Sequence, residues 1–268
     1  MRRVLSLLLI LALLAAAGYA AAEGELKPYS RETGYVYVTL GSYPQRIDGG
    51  IPEEDANTWK WASNPIADPS SVTVYTDPLL WRVLRVDEEK AYLCSEYVLF
   101  AMPMHTNVTE YKKIGADFGQ TDLSHYLNET FAHDAFTDEE LDMLLPCETF
   151  GKVFLLDSSD VKDKSIGMGT TIKVGLKAWA TEYAVRITGA YVFLVRHGAH
   201  SAYWVRNQSS SDKRHARCTK DGGQLGHIIS DRENEGVRPA VYLDLNAFDI
   251  AGGTGSKTDP YVIVPKAP

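Results

Sequence analysis

The chain has 268 residues, a formal net charge of −8, 45% hydrophobic residues and 10% aromatic residues. This composition excludes a disordered chain and supplies enough apolar side chain for one sizeable core. The acidic balance disfavours nucleic acid or an anionic membrane surface as partner.

The first stretch combines Arg2 and Arg3, an apolar run over residues 4–17 and the small residues Ala20, Ala21 and Ala22. That order predicts a secretory signal peptide over residues 1–22, because the run is shorter than the roughly 18 to 20 residues a spanning helix needs. The mature chain would begin near Glu23. Losing Arg2 and Arg3 with no acidic residue takes its net charge from −8 to −10. No later apolar stretch is long enough to span a bilayer, so no membrane span is expected in the mature chain, and the expected location is secreted, extracellular or cell-envelope.

After a linker at residues 23–34, residues 35–43 carry a β-branched and aromatic pattern and predict a strand closing in the turn Tyr43-Pro44-Gln45. Residues 46–76 are rich in Asp, Pro, Asn and Ser and read as a surface insertion in which Trp59 and Trp61 either pin the loop down, the favoured reading, or form an exposed aromatic patch. Residues 77–104 predict the organising element, a buried β-hairpin. Trp81, Val83, Leu84 and Val86 form one arm, residues 91–94 the other, and the polar run 87–90 the turn. Neither arm alternates cleanly, which places the hairpin inside a sheet with both faces covered.

Thr121 or Asp122 can cap a helix bearing Leu123, Tyr126, Leu127 and Phe131 on one side. Thr137 and Glu140 have capping-box spacing, and Leu141, Leu144 and Leu145 extend that second helix to Pro146. Residues 152–156 predict a short buried strand, and Leu176, Trp179, Ala180, Tyr183 and Ala184 a further one-sided helix. The last third returns to strands at residues 190–195, 202–206, 227–230 and 237–243, with Pro239 marking an edge or a bulge. A glycine turn and one final strand occupy residues 247–268. The sum is a single α+β domain over residues 35–246, with a mixed, mainly antiparallel sheet and several packed helices.

Four stretches taken together carry a family likeness: LGSYPQ at 40–45, the hairpin's WRVL and SEY segments with AMP at 101–103, YWVR at 203–206 and GVRPA at 236–240. Over roughly residues 36–245 the chain resembles a family of secreted bacterial proteins known as domain of unknown function 6273. It departs from that pattern in a longer insertion before Trp81 and in Tyr203-Trp204 as the paired aromatics of the late strand. More distantly, the ending resembles the C-type-lectin-like fold shared with sulfatase-modifying factors. That likeness implies a fold and carries no function with it.

Arg206 and Arg238 each lie in an apolar strand, where an unpaired charge is costly, so each is expected to have an acidic or carbonyl partner. The choice is between structural pairing and a polar ligand pocket shared with Tyr203 and Trp204, which makes these four the candidate ligand-binding residues. His197, His200, His215 and His227 come nearest to a metal constellation, without an acidic partner at a diagnostic offset. Asp244, Asn246 and Asp249 read as a polar turn rather than a calcium loop. Cys94, Cys147 and Cys218 form an odd set with no zinc or redox spacing, and no nucleophile elbow or phosphate loop is present. The sequence therefore predicts no catalytic residues, no metal site and no cofactor. It favours a binding module for an extracellular glycan, peptide or protein, with a metal-assisted enzyme built on the segment 197–227 as the alternative.

Overall fold

A computed structural model describes residues 24–48, 65–169, 173–193 and 200–267. The expected signal peptide, most of the insertion with Trp59 and Trp61, and His197 lie outside the described residues.

The strands in chain order are β1 (Val36–Ile47), β2 (Val74–Val86), β3 (Lys90–Ser95), β4 (Phe100–Ala101), β5 (Leu144–Leu145) and β6 (Val153–Leu155). Then follow β7 (Ala178–Trp179), β8 (Val192–Phe193), β9 (His200–Ser201), β10 (Tyr203–Gln208) and β11 (His215–Thr219). The series ends with β12 (Leu225–Ile229), β13 (Gly236–Val237), β14 (Pro239–Asp244), β15 (Phe248–Gly252) and β16 (Tyr261–Pro265). Among the described residues they form three sheets. The largest runs β15-β16-β1-β2-β3-β14-β5 with β6 also on β14, the second runs β12-β11-β10-β13-β4, and a small one runs β7-β9-β8. Most pairings are antiparallel, and short helices pack on the strands, which is the α+β class expected.

The β2–β3 hairpin lies mid-sheet, with β1 on one side and β14 on the other. Its two-sided apolar pattern is explained by burial of Leu79, Trp81, Val83 and Leu84 against residues 91–94, all within the main core. Trp81 donates its indole N–H to the Leu40 carbonyl at 2.9 Å, which satisfies its one polar atom.

β1 does not close at Tyr43. It continues to Ile47 through irregularities at residues 39–42 and 44–46 and pairs Arg46 with Tyr75 and Ile47 with Val74. Bulges absorb the Gly41 and Pro44 positions that looked like a stop. Residues 46–47 and 74–76 of the expected insertion therefore belong to two long paired strands. The expected second helix is also shorter. The capping box at Thr137 and Glu140 is formed, but the helix is Asp138–Asp142, and Leu144–Leu145 instead pair with β14. The expected helix around residues 176–184 divides into Lys173–Leu176, the strand β7 and Glu182–Arg186, because Trp179 and Ala178 pair with β9.

One junction between sheets positions the candidate site. Gly236 and Val237 belong to the second sheet, paired with β4 and β10, whereas residues from Pro239 onward belong to the largest sheet. The strand expected over residues 237–243 is thus divided, and Pro239, expected to mark an edge or a bulge, instead opens β14, which is paired with β3 on one side and β5 and β6 on the other. Lacking a backbone N–H, it sits where the chain crosses between sheets. No described helix is long and apolar enough to cross a membrane.

Candidate functional site

The four residues expected to bind a ligand are drawn into the fold's own hydrogen bonding, with Arg238 Nη2 alone among their buried side-chain polar atoms left without a partner. Tyr203 is buried and donates its hydroxyl to the Leu176 carbonyl at 2.8 Å, and Trp204 is buried and donates its indole N–H to the Met102 carbonyl at 2.8 Å. Arg206 donates to the Leu155 carbonyl and pairs with Asp157, both at 2.6 Å, with Asp160 at 3.7 Å. Arg238 is buried, donates to the Ser95 carbonyl at 2.7 Å and to the Tyr203 hydroxyl at 3.2 Å, and lies over the Tyr203 ring. Thus Tyr203 and Arg238 meet, while Trp204 and Arg206 go to other partners. None of the four is among the lining residues of the cavity beside β11 and β12.

That cavity, about 220 Å³, opens between β11, β12, the loop before β13 and the start of β8. Tyr191, Cys218, Lys220, Arg232, Asn234 and Glu235 are among its lining residues, and Asp221 lies with them. A broader depression of about 390 Å³ shares Arg232 and Asn234.

The local sequence explains the arrangement. In the β11–β12 pair Cys218 stands opposite Gly226. Side chains alternate along a strand, so Cys218 and Lys220 share a face. A Cβ on Gly226 would come within 2.7 Å of Lys220 Cε, so the bare glycine makes room for the lysine chain. Lys220 itself opens a tight turn, its N–H donating to the Gln224 carbonyl at 2.8 Å, with Gly223 at φ 75°. On the other wall, Tyr191 donates its backbone N–H to the Asn234 carbonyl at 2.9 Å. Gly236 then sits against Val98 and the Ala202 carbonyl, where a Cβ would fall within 2.6 Å of either, and this close approach fixes Glu235 just before the strand.

Glu235 is only 4% exposed, yet it lines the cavity. Burial pushes its carboxyl up from 4.5 to about 7. The Cys218 thiol donating to it and the nearby Arg232 and Lys220 work against that rise, while Asp221 adds to it. Its Oε1 has no hydrogen-bond partner, and neither has Asn234 Oδ1. Buried polar atoms are nearly always paired, so two adjacent unpaired acceptors mark a place where a donor is missing.

The same geometry argues against a cysteine nucleophile. The Cys218 thiol is held well above its ordinary range, by burial first and then by Glu235, so it stays protonated. His227 stands opposite Arg217 and lines the same cavity as Cys218 and Glu235. Its ring packs edge-on to His215 at 5.2 Å, and His200 packs on Trp179 at 4.8 Å. Among the described residues no three His, Cys, Asp or Glu side chains are placed to hold a metal ion, and all three cysteines are free thiols.

No family model, curated protein or solved structure matches the chain.

Proposed function

We propose that the chain is a secreted, non-catalytic binding module whose ligand, a small polar group of an extracellular molecule, sits in the Glu235 cavity. The observation that carries this reading is that Glu235, a residue lining an open cavity, is buried with one carboxyl oxygen unpaired. Desolvating such a group without a partner is costly, and a ligand donor offsets that cost. The inert thiol fits binding better than covalent chemistry. The secretory pattern of residues 1–22 supports the extracellular setting.

Thermal-shift measurements on the mature chain, with a panel of amino acids, sugars, polyols and small carboxylates, test the reading. At least one compound should raise the melting temperature of the wild type, do so less in Glu235→Gln, and be recovered unchanged after prolonged incubation. No stabilising compound, or equal stabilisation of the variant, would place the function elsewhere.

A further inference from the structure

We propose that the Glu235 cavity takes a free α-amino acid, its ammonium group held by Glu235 and Asn234 and its carboxylate by Lys220 and Arg232. This inference rests on the binding reading above and gives the ligand a chemical class.

The two unpaired acceptors, Glu235 Oε1 and Asn234 Oδ1, belong to neighbouring residues of one loop and call for a group with several donors. An ammonium supplies three N–H donors and a positive charge, which suits a carboxylate and an amide oxygen together. An anionic ligand lacking donors would leave both acceptors unpaired and would face Glu235 and Asp221. A purely cationic ligand would meet Lys220 and Arg232 in the same wall. Only a ligand that carries both charges matches a lining that carries both. Lys220 and Arg232 line the same cavity of about 220 Å³ as Glu235, so one small molecule can span the two ends.

The remaining wall supplies the apolar share. Tyr191 is 40% exposed, and Ala202 and Ile228 lie with it in the lining, so the side chain of the amino acid has an aromatic and aliphatic surface to cover. A volume of about 220 Å³ holds a single residue. These features favour an apolar or aromatic amino acid over glycine.

Isothermal titration calorimetry of the mature chain with L-phenylalanine and L-leucine is the direct experiment, with N-acetyl-L-phenylalanine and L-phenylalanine amide as derivatives lacking one charge each. The expected result is binding of the free amino acids and at least a tenfold loss for each blocked derivative. Glu235→Gln should match the loss caused by acetylation, and Arg232→Gln the loss caused by amidation, with folding verified by circular dichroism. Equal affinity for free and blocked forms would overturn the proposal, and because the derivatives are tested on the wild type, that outcome does not depend on a variant folding. If free amino acids fail to bind while a sugar or polyol binds through Glu235, the zwitterion inference falls and the binding reading stands. If no compound of either panel binds, both fall.

Discussion

Replacing Glu235 by glutamine removes the titration of one buried carboxyl while keeping its shape and an acceptor for the Cys218 thiol. In the folded chain this carboxyl titrates at about 7, against 4.5 for an unperturbed glutamate. Because the folded value is the higher one, the folded state holds the proton longer. The stabilisation is fully present below 4.5 and is lost as pH rises through 7. A tenfold difference in proton affinity between the folded and unfolded chain corresponds to about 1.4 kcal/mol, so between pH 5 and pH 8 the wild type should lose about 2 to 3 kcal/mol that the neutral glutamine variant keeps. At 4% exposure little solvent screening reduces that figure. Urea denaturation of both proteins at pH 5, 6, 7 and 8 reads the effect as a difference, in which every other titrating group cancels. With a slope of roughly 2 kcal/mol per molar, the gap between the two midpoints should change by about 1 M across the range, in favour of the variant at high pH. Parallel pH profiles for the two proteins would show that Glu235 titrates as an ordinary surface glutamate and would remove the basis of the proposed site.

Trp81→Ala should cost about 3 to 5 kcal/mol in denaturant titration, since it empties a fully buried position and strands the Leu40 carbonyl; a midpoint near that of the wild type would refute the central role of the hairpin. Glu96→Ala should cost a similar 3 to 5 kcal/mol, because Arg82 is buried, donates to Glu96 Oε1 at 2.8 Å and would be left with its charge uncompensated; a loss below about 1 kcal/mol would mean that water reaches the pair. Intact-mass measurement of exported protein should give a chain beginning within a few residues of Glu23, and a species retaining Met1 would contradict the secretory reading.

The parts of the fold legible in the sequence are those where one local rule dominates. Continuous apolar arms around a charged turn announce the β2–β3 hairpin, and Thr137 and Glu140 announce a cap. Elements where two rules point to different answers are misread. Leu141, Leu144 and Leu145 have helical spacing, yet the last two pair with Tyr242 and Leu243, because a sheet edge is there to receive them. β11, with His215, Arg217 and Thr219 on one face, has no apolar alternation strong enough to announce a strand.

The site is less legible still. Glu235 closes the stretch DRENE at residues 231–235, which reads as a solvated acidic turn, and only the docking of β11 and Tyr191 buries its last member. Conversely, the principle that an arginine in an apolar strand needs partners places Arg206 and Arg238 in bonded surroundings. What a linear pattern does not carry is whether those partners come from the fold or from a ligand. A trace of the cavity does exist in the sequence: Gly226 and Gly236 interrupt strands where a side chain is expected, and each admits a close neighbour.

The most direct test of the Glu235 site is the carbon-13 NMR titration of its side-chain carboxyl in selectively labelled protein, first alone and then with saturating L-phenylalanine. The expected result is a midpoint at about 7 in the free protein and a clear downward move with the amino acid bound, because an ammonium favours the ionised carboxylate. A midpoint near 4.5 in the free protein would contradict the buried carboxyl, and one that the amino acid leaves unmoved or raises would contradict its role in binding that ligand.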